Sequence, residues 1–409
     1  MVSVSRRAVL WIGFALVHVV VAVLGFRLPN QPMGDVYLVY EPWALQALSG
    51  GGIPGVTEQW IYPPVALVPM VLAVGLEWIA GYEVAWALLV TACDALAFAL
   101  LVGHARSRGR SVGAWFWLAF ILLLGPVGMY RLDGLTVPLA IAGCLWLVGR
   151  PAVASALLTI ATWIKVWPAA LLAAAVIAVR RRLSIITTAL VASAAILLVV
   201  VLAGGAEHAL GFVSGQTDRG LQLEAPVSMF YLWQAVAGVE GSYLYYDRNI
   251  LTFQVTGPQV DGVIAVMTPL LMVALVAVAA LGAVQLRRGA RFAGLFPALA
   301  LSLVLVFIVF NKVGSPQYLT WIIAPIVLGL VLDRNRWSPL AIGALVTAAL
   351  TQIVYPITYN FLLNADVLAV AVLTARNLLL VALLVWTLIH VVRAPVHARA
   401  HAAATDTTP

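Results

Sequence analysis

Apolar runs recur almost without interruption along this chain, and that recurrence constrains the fold more than any other feature. They cover residues 8–26, 63–80, 83–103, 112–130, 135–149, 151–164, 166–179, 184–203, 263–286, 292–310, 318–332, 338–355 and 366–392, thirteen in all. About 20 apolar residues cross a bilayer core as a helix, and a helix satisfies its own backbone polar groups where no water can. The expected fold is all-α: a polytopic membrane protein whose single transmembrane domain fills residues 1–392, with polar loops at 27–62 and 204–262 and a cytoplasmic polar tail at 393–409. Residues 8–26 follow Arg6-Arg7 as a signal peptide would, but no small-residue cleavage site precedes Arg27, so they count as the first membrane helix. With 63% of the 409 residues apolar and 10% charged, no stretch remains for a separate soluble domain. Membrane lipids are expected partners and nucleic acid is not.

The net charge of +7 encodes orientation. The arginine-bearing connectors are Arg6-Arg7, Arg106 to Arg110, Arg150, Arg180 to Arg182, Arg287 to Arg291, Arg334 to Arg336 and Arg393 to Arg399, and the positive-inside bias places them all in the cytoplasm. Both termini are then inside, which an odd number of crossings forbids. The fault lies before Arg106, where residues 63–80 open on Tyr62-Pro63-Pro64, carry Glu77 and are separated from the next run only by Gly81. Read as a re-entrant or surface-lying helix, they leave about 12 crossings. The runs at 151–164 and 166–179 hold 14 residues each, about 21 Å of helix against a core of about 30 Å. They form a broken pair meeting at Lys165-Val166-Trp167-Pro168, and non-helical backbone at that depth belongs beside a cavity.

This topology sends the remaining polar chemistry to the outer face. Only two of the 23 basic residues are lysines, Lys165 and Lys312, and both fall there against the charge bias. A basic group so placed needs an anionic partner: a carboxylate, a lipid headgroup or a phosphate-bearing substrate. Three segments gather on the same face, Tyr62-Pro63-Pro64, Ile164-Lys165-Val166-Trp167-Pro168 and Lys312-Val313-Gly314-Ser315-Pro316-Gln317-Tyr318-Leu319. In order and common sidedness they resemble the membrane-embedded C-type glycosyltransferases that use polyprenyl-phosphate sugars, in particular glycosyltransferase family 87, the actinobacterial α-mannosyltransferases. The likeness runs from about residue 30 to residue 330. Two departures stand out. Arg131-Leu132-Asp133-Gly134 occupies the place where many members carry Gly-Gln, and the outer loop before residue 318 holds no histidine that matches the one some relatives use near the acceptor.

The resemblance implies an inverting transfer of a sugar, mannose first, from a polyprenyl-phosphate donor to a glycolipid or polysaccharide acceptor outside the cell membrane. Asp35 is the candidate general base, since the acceptor hydroxyl must lose its proton as the new bond forms. One carboxylate suffices because a phosphate leaving group needs no partner acid. A helix N-cap before Val36 is the alternative role for Asp35, and Glu58 is the second candidate base. Lys165 and Lys312 are candidates for the donor phosphate, whose charge grows as it departs, with snorkelling to headgroups as the alternative. Gln317, Tyr318 and Tyr62 are candidate sugar contacts, beside Trp60 and Trp167, although interfacial belts also collect aromatics. Arg131 and Asp133 either contact substrate or pair with each other at a helix end. Arg219, with Gln216, Asp218, Gln222 and Glu224, makes either a lid over the sugar or an ordinary solvated loop. There is no Walker loop, dinucleotide fingerprint or Asp-x-Asp pair, so no metal ligand is assigned and no cofactor is expected beyond the lipid-linked donor. The competing function is a transporter or flippase of a lipid-linked sugar intermediate, which also needs broken helices and intramembrane lysines.

Overall fold

The computed structural model describes residues 5–214, 219–248 and 251–395. In chain order the α-helices are α1 (Arg6–Arg27), α2 (Glu41–Ser49), α3 (Leu67–Val74), α4 (Tyr82–Val102), α5 (Arg108–Leu124), α6 (Asp133–Trp146), α7 (Pro151–Ile164), α8 (Ala169–Ala178) and α9 (Arg182–Leu202). They continue as α10 (Gly211–Ser214), α11 (Met229–Val236), α12 (Val260–Arg287), α13 (Phe292–Val309), α14 (Ile323–Leu332), α15 (Arg334–Gln352), α16 (Tyr359–Leu363) and α17 (Val367–Val392). Strands β1 (Tyr243–Asp247) and β2 (Thr252–Thr256) form an antiparallel hairpin between α11 and α12.

All thirteen apolar runs are helical, and eight are long and apolar enough to cross a membrane. The other five, Pro64–Ile79, Asp133–Trp146, Pro151–Ile164, Ala169–Ala178 and Pro316–Leu332, are shorter. Pro64–Ile79 is broken into a 3₁₀ turn, the 8-residue α3 and a second 3₁₀ turn. At 1.5 Å per residue α3 covers about 12 Å, less than half a bilayer core. Side chains at the helix starts satisfy orphan N–H groups: Ser5 accepts from Ala8, Ser107 from Arg110, Asp333 from Arg336, and Asp366 from Leu368 and Ala369.

Helix α13 is the spine of the bundle. Every residue from Leu295 to Val306 is buried, against α8, α12, α14 and α17. In contrast, α9 buries only Ile185 and Val200, and its remaining surface of Leu183, Leu190, Val191 and Leu198 is what lipid tails would cover. Lipid gives no hydrophobic drive for helices to associate, so packing and polar contacts carry more of that task. Ser155 donates to the Ile185 carbonyl at 2.7 Å, Trp163 to Ser193 at 2.9 Å, and His18 bridges α1 to Asp94 of α4 at 3.0 Å.

The two ends of the bundle differ in chemistry. At one end the arginine connectors meet: Arg336 donates to the carbonyls of His390 and Arg393, Arg291 N–H donates to the Pro395 carbonyl, and Gly109 packs against Val331. At the other end, part of the 204–262 segment folds into a cap, and the hairpin within it departs from an all-helical expectation. Leu221 to Leu223 run along β2, with Leu223 N–H donating to the Phe253 carbonyl at 3.1 Å and Val255 N–H to the Leu221 carbonyl at 3.0 Å. Leu221, Leu223, Tyr231, Leu232 and Val255 of the cap share a core with Leu362, Val370 and Leu373. The tail beyond Pro395 lies outside the described residues.

Candidate active site

Under the cap, the chain from Asn30 to Asp35 approaches the start of α6. Asn30 and Gln31 adopt φ of 60° and 50°, a conformation that side chains with a Cβ disfavour. Their position is fixed from across the bundle: Asn30 Nδ2 donates to the Pro356 carbonyl at 2.8 Å and the Tyr355 hydroxyl donates to the Asn30 carbonyl at 3.0 Å. The Pro32 carbonyl is thereby presented to Arg131, whose Nη1 donates to it and to the Tyr130 carbonyl, both at 2.9 Å. With its guanidinium held in this frame, Arg131 Nε meets Asp35 Oδ2 at 3.1 Å. Asp35 makes no N-cap bond with its side chain. The carboxylate is 35% exposed while Arg131 is 7% exposed, so the carboxylate faces the opening and the guanidinium is sunk beneath it.

Arg131 and Asp133 do not pair with each other, contrary to one reading of their spacing. Two residues apart on an incipient helix, they point to different partners. Asp133 is fully buried; its Oδ2 lies 3.5 Å from Lys165 Nζ and its Oδ1 accepts from Trp321 Nε1. The lysine arrives because α7 stops where the sequence forces it to. Pro168 has no N–H to continue the ladder, and Lys165 is extended at φ −151° and ψ 132°. Its ammonium also sits 4.6 Å from the ring centroid of Tyr62, within cation–π range. An aromatic wall surrounds the pair. Trp321 stacks on Tyr318 at 4.1 Å and on Trp167 at 6.0 Å, and Trp167 donates to Thr136 at 2.9 Å. Trp43, Trp60 and Tyr62 pack edge to face.

The two ion pairs form one electrostatic cluster. The charges of Asp133 and Asp35 both act on Lys165, and those of Lys165 and Arg219 both act on Tyr318. Arg219 is half-buried with its Nε unpartnered among the described residues. Lys312 is buried, and its carbonyl accepts from Gln222 N–H at 3.0 Å. Gln317 is buried and accepts from the Ser315 hydroxyl. Glu58 stands apart: it is exposed and both its oxygens accept from Gln46 Nε2 at 3.0 Å. Of the candidate lid, Gln222 and Glu224 are buried and not solvated as a free loop would be, while Gln216 and Asp218 lie outside the described residues.

Three members of this neighbourhood are not singled out by the motifs. Trp321 follows Tyr318 at helical spacing, Tyr355 precedes a proline at the end of α15, and Arg376 interrupts the last apolar run. Arg376 pairs with Glu224 in a buried contact. Burial pushes the Glu224 carboxyl up to about 7, against the opposing pull of Arg376 and, more weakly, Arg131. Among the described residues, no three His, Cys, Asp or Glu side chains gather into a set able to hold a metal ion.

The cluster offers one half-exposed carboxylate oriented by an arginine and one ammonium whose three donors are not exhausted by Asp133. Both lie under an aromatic wall at the polar end of a lipid-facing bundle, an arrangement suited to removing a proton beside a departing anion. No curated protein and no solved structure matches the chain. A family model does: glycosyltransferase family 87 matches residues 60–309, a span holding Tyr62, Arg131, Asp133, Lys165 and Arg219 and ending short of Asp35 on one side and Lys312 on the other. Matched over more than half its length, the chain belongs to glycosyltransferase family 87 and is a membrane-embedded glycosyltransferase.

Proposed function

We propose that the protein transfers mannose from a polyprenyl-phosphate donor to a glycolipid or polysaccharide acceptor, with inversion, at the extracytoplasmic face of the cell membrane. The observation that carries this reading is the pairing of Asp35 with Arg131 at 3.1 Å beside a lysine, 13% exposed, at a helix break. Arg131 engages Oδ2 of Asp35, and the second oxygen takes the proton of the acceptor hydroxyl. The acceptor oxygen bonds to the anomeric carbon as the carbon–phosphate-oxygen bond breaks, and polyprenyl phosphate leaves with the electron pair. Lys165 and Lys312 stabilise its growing charge, which an ammonium does most effectively where water is excluded. Tyr62, Tyr318 and Gln317 bound the sugar.

The topology follows from the same reading. About 12 crossings bring the arginine connectors into the cytoplasm, with Pro64–Ile79 entering the outer leaflet without crossing. A cysteine at Gly81 is expected to react with an impermeant thiol reagent from outside, and one at Ser107 only after permeabilisation. Labelling at 107 from outside with protection at 81 reverses the assignment.

The decisive experiment presents purified protein in detergent with radiolabelled polyprenyl-phosphate mannose and a panel of lipid acceptors, beside a nucleotide-activated mannose. Transfer from the lipid-linked donor alone supports the proposal. Transfer only from the nucleotide sugar, or transbilayer movement of the donor without a new glycosidic bond, overturns it.

A further inference from the structure

The pair formed by Glu224 and Arg376 lies outside the cluster that touches substrate in the proposed reaction, yet its connections lead into that cluster. Arg376 belongs to α17 and is 2% exposed, and Glu224 belongs to the cap and is 4% exposed. Around them the packing is apolar, with Leu221, Leu223, Leu362, Val370 and Leu373 in one buried cluster. Arg376 Nε and both polar atoms of the neighbouring Asn377 have no hydrogen-bond partner among the described residues. Such a pair is a poor way to gain stability, because apolar residues of similar volume usually do as well or better. What it supplies is a single register, since only one placement of the cap compensates both charges.

From Glu224 the connection to the candidate site is short. Leu221 and Leu223 are tied to β2 on one side, and between them Gln222 donates its N–H to the Lys312 carbonyl at 3.0 Å on the other. Two residues past Lys312, Gly314 packs so tightly on this segment that an added Cβ would lie 2.2 Å from Ala225 N and 2.5 Å from the Glu224 carbonyl carbon. Segment 221–225 is thus clamped between the hairpin and the Lys312 loop. The charge of Arg131 reaches Glu224, and that of Glu224 reaches Tyr355, so the pair also borders the Asp35 corner.

We infer that Glu224 and Arg376 are a positioning pair: they lock the cap segment 221–225 onto the last membrane helix and thereby fix the backbone that carries Lys312. The inference rests on the proposed reaction only in assigning Lys312 to the donor phosphate. A mobile lid would need this contact to break during turnover; a positioning pair needs it to persist.

The test replaces both charges at once, Glu224→Met with Arg376→Met, so that neither is left buried and unpaired. In a background lacking Cys93 and Cys144, Val313→Cys reports on the loop, because Val313 is 5% exposed and reacts with a thiol reagent only when the loop opens. The expected result is wild-type thermal stability, labelling at position 313 faster by about tenfold or more, and a donor KM raised severalfold with the acceptor KM unchanged. Glu224→Gln alone, read by the same labelling, covers a double variant that does not fold. Unchanged labelling, or full activity of the double variant at the wild-type donor KM, overturns the inference. Labelling is independent of substrate, so faster labelling in a protein whose wild type transfers no sugar would refute the proposed chemistry and leave the positioning pair standing.

Discussion

Asp133→Asn isolates the contribution of one buried ion pair. The amide oxygen can still accept from Trp321 Nε1, so the substitution removes charge and little else. Two unit charges 3.5 Å apart attract by about 5 kcal/mol at an effective dielectric of 20. The measured loss is set by the charge left behind: breaking a buried pair from one side costs about 3–5 kcal/mol, because the surviving partner stays desolvated and unpaired. Lys165→Met is expected to lose about as much, since Asp133 is fully buried and its Oδ2 has no hydrogen bond to fall back on. The double variant leaves no orphan charge, so its loss should fall short of the sum of the singles by about 2 kcal/mol or more, well above the 0.3–0.5 expected of independent sites. The assay is unfolding in detergent followed by the fluorescence of the fourteen tryptophans, among them Trp321, which both bonds Asp133 and stacks on Trp167. Additivity of the two single losses within about 0.5 kcal/mol would refute the pairing.

Asp35→Asn should cut sugar transfer by about 100-fold or more while donor binding stays nearly intact, because an amide accepts no proton in the transition state; activity above about a tenth of wild type in the transfer assay removes Asp35 from the base role. Gly314→Ala should lower the unfolding midpoint measurably, since its Cβ meets the backbone of Ala225 at 2.2 Å and no side-chain rotation relieves that contact; an unchanged midpoint contradicts the clamp. Burial pushes the Glu224 carboxyl up to about 7 from the ordinary glutamate value of about 4.3, so the stability contributed by its bound proton is complete below that ordinary value and is lost as pH rises through 7, where the carboxylate that pairs with Arg376 forms. The unfolding midpoint of wild type relative to Glu224→Gln should therefore fall between about pH 4 and pH 7 and level off above that, and a flat difference across that range is the contrary result.

What the sequence discloses depends on how local the cause is. The thirteen helical segments are legible because each needs only a run of apolar residues, and the break at Lys165 because Pro168 imposes it within three positions. Lys165 is legible as a lysine set against the charge bias at a helix break, and Asp35, Arg131 and Asp133 as polar residues gathered on the same outer face. Their partners are not, because the choice between Arg131–Asp133 and Arg131–Asp35 is made by how the start of α6 meets a loop nearly 100 residues earlier in the chain. Arg376 carried a readable signal, a lone arginine within the apolar run 366–392, of the kind that marks a buried partner or a functional group. The hairpin was also written locally, in Tyr243-Leu244-Tyr245-Tyr246 and Thr252-Phe253-Gln254-Val255, whose β-branched and aromatic residues favour strands; inside so apolar a chain, a short polar stretch reads first as a connector.

Leu132 lies between the two anchoring residues, is wholly buried, and donates its N–H to the Tyr40 hydroxyl at 3.4 Å. The arginine that steadies Asp35 and the aspartate that steadies Lys165 are therefore the tips of a caliper whose span, about 5.4 Å between Cα atoms across the helical Leu132, is set by one tripeptide. A caliper of fixed span does not let the two sides of a reaction be adjusted separately. Any tilt of α6 carries both tips together, so in the proposed reaction the room for a larger or smaller sugar has to be made at the aromatic jaws, Tyr62 and Tyr318, and not at the charges.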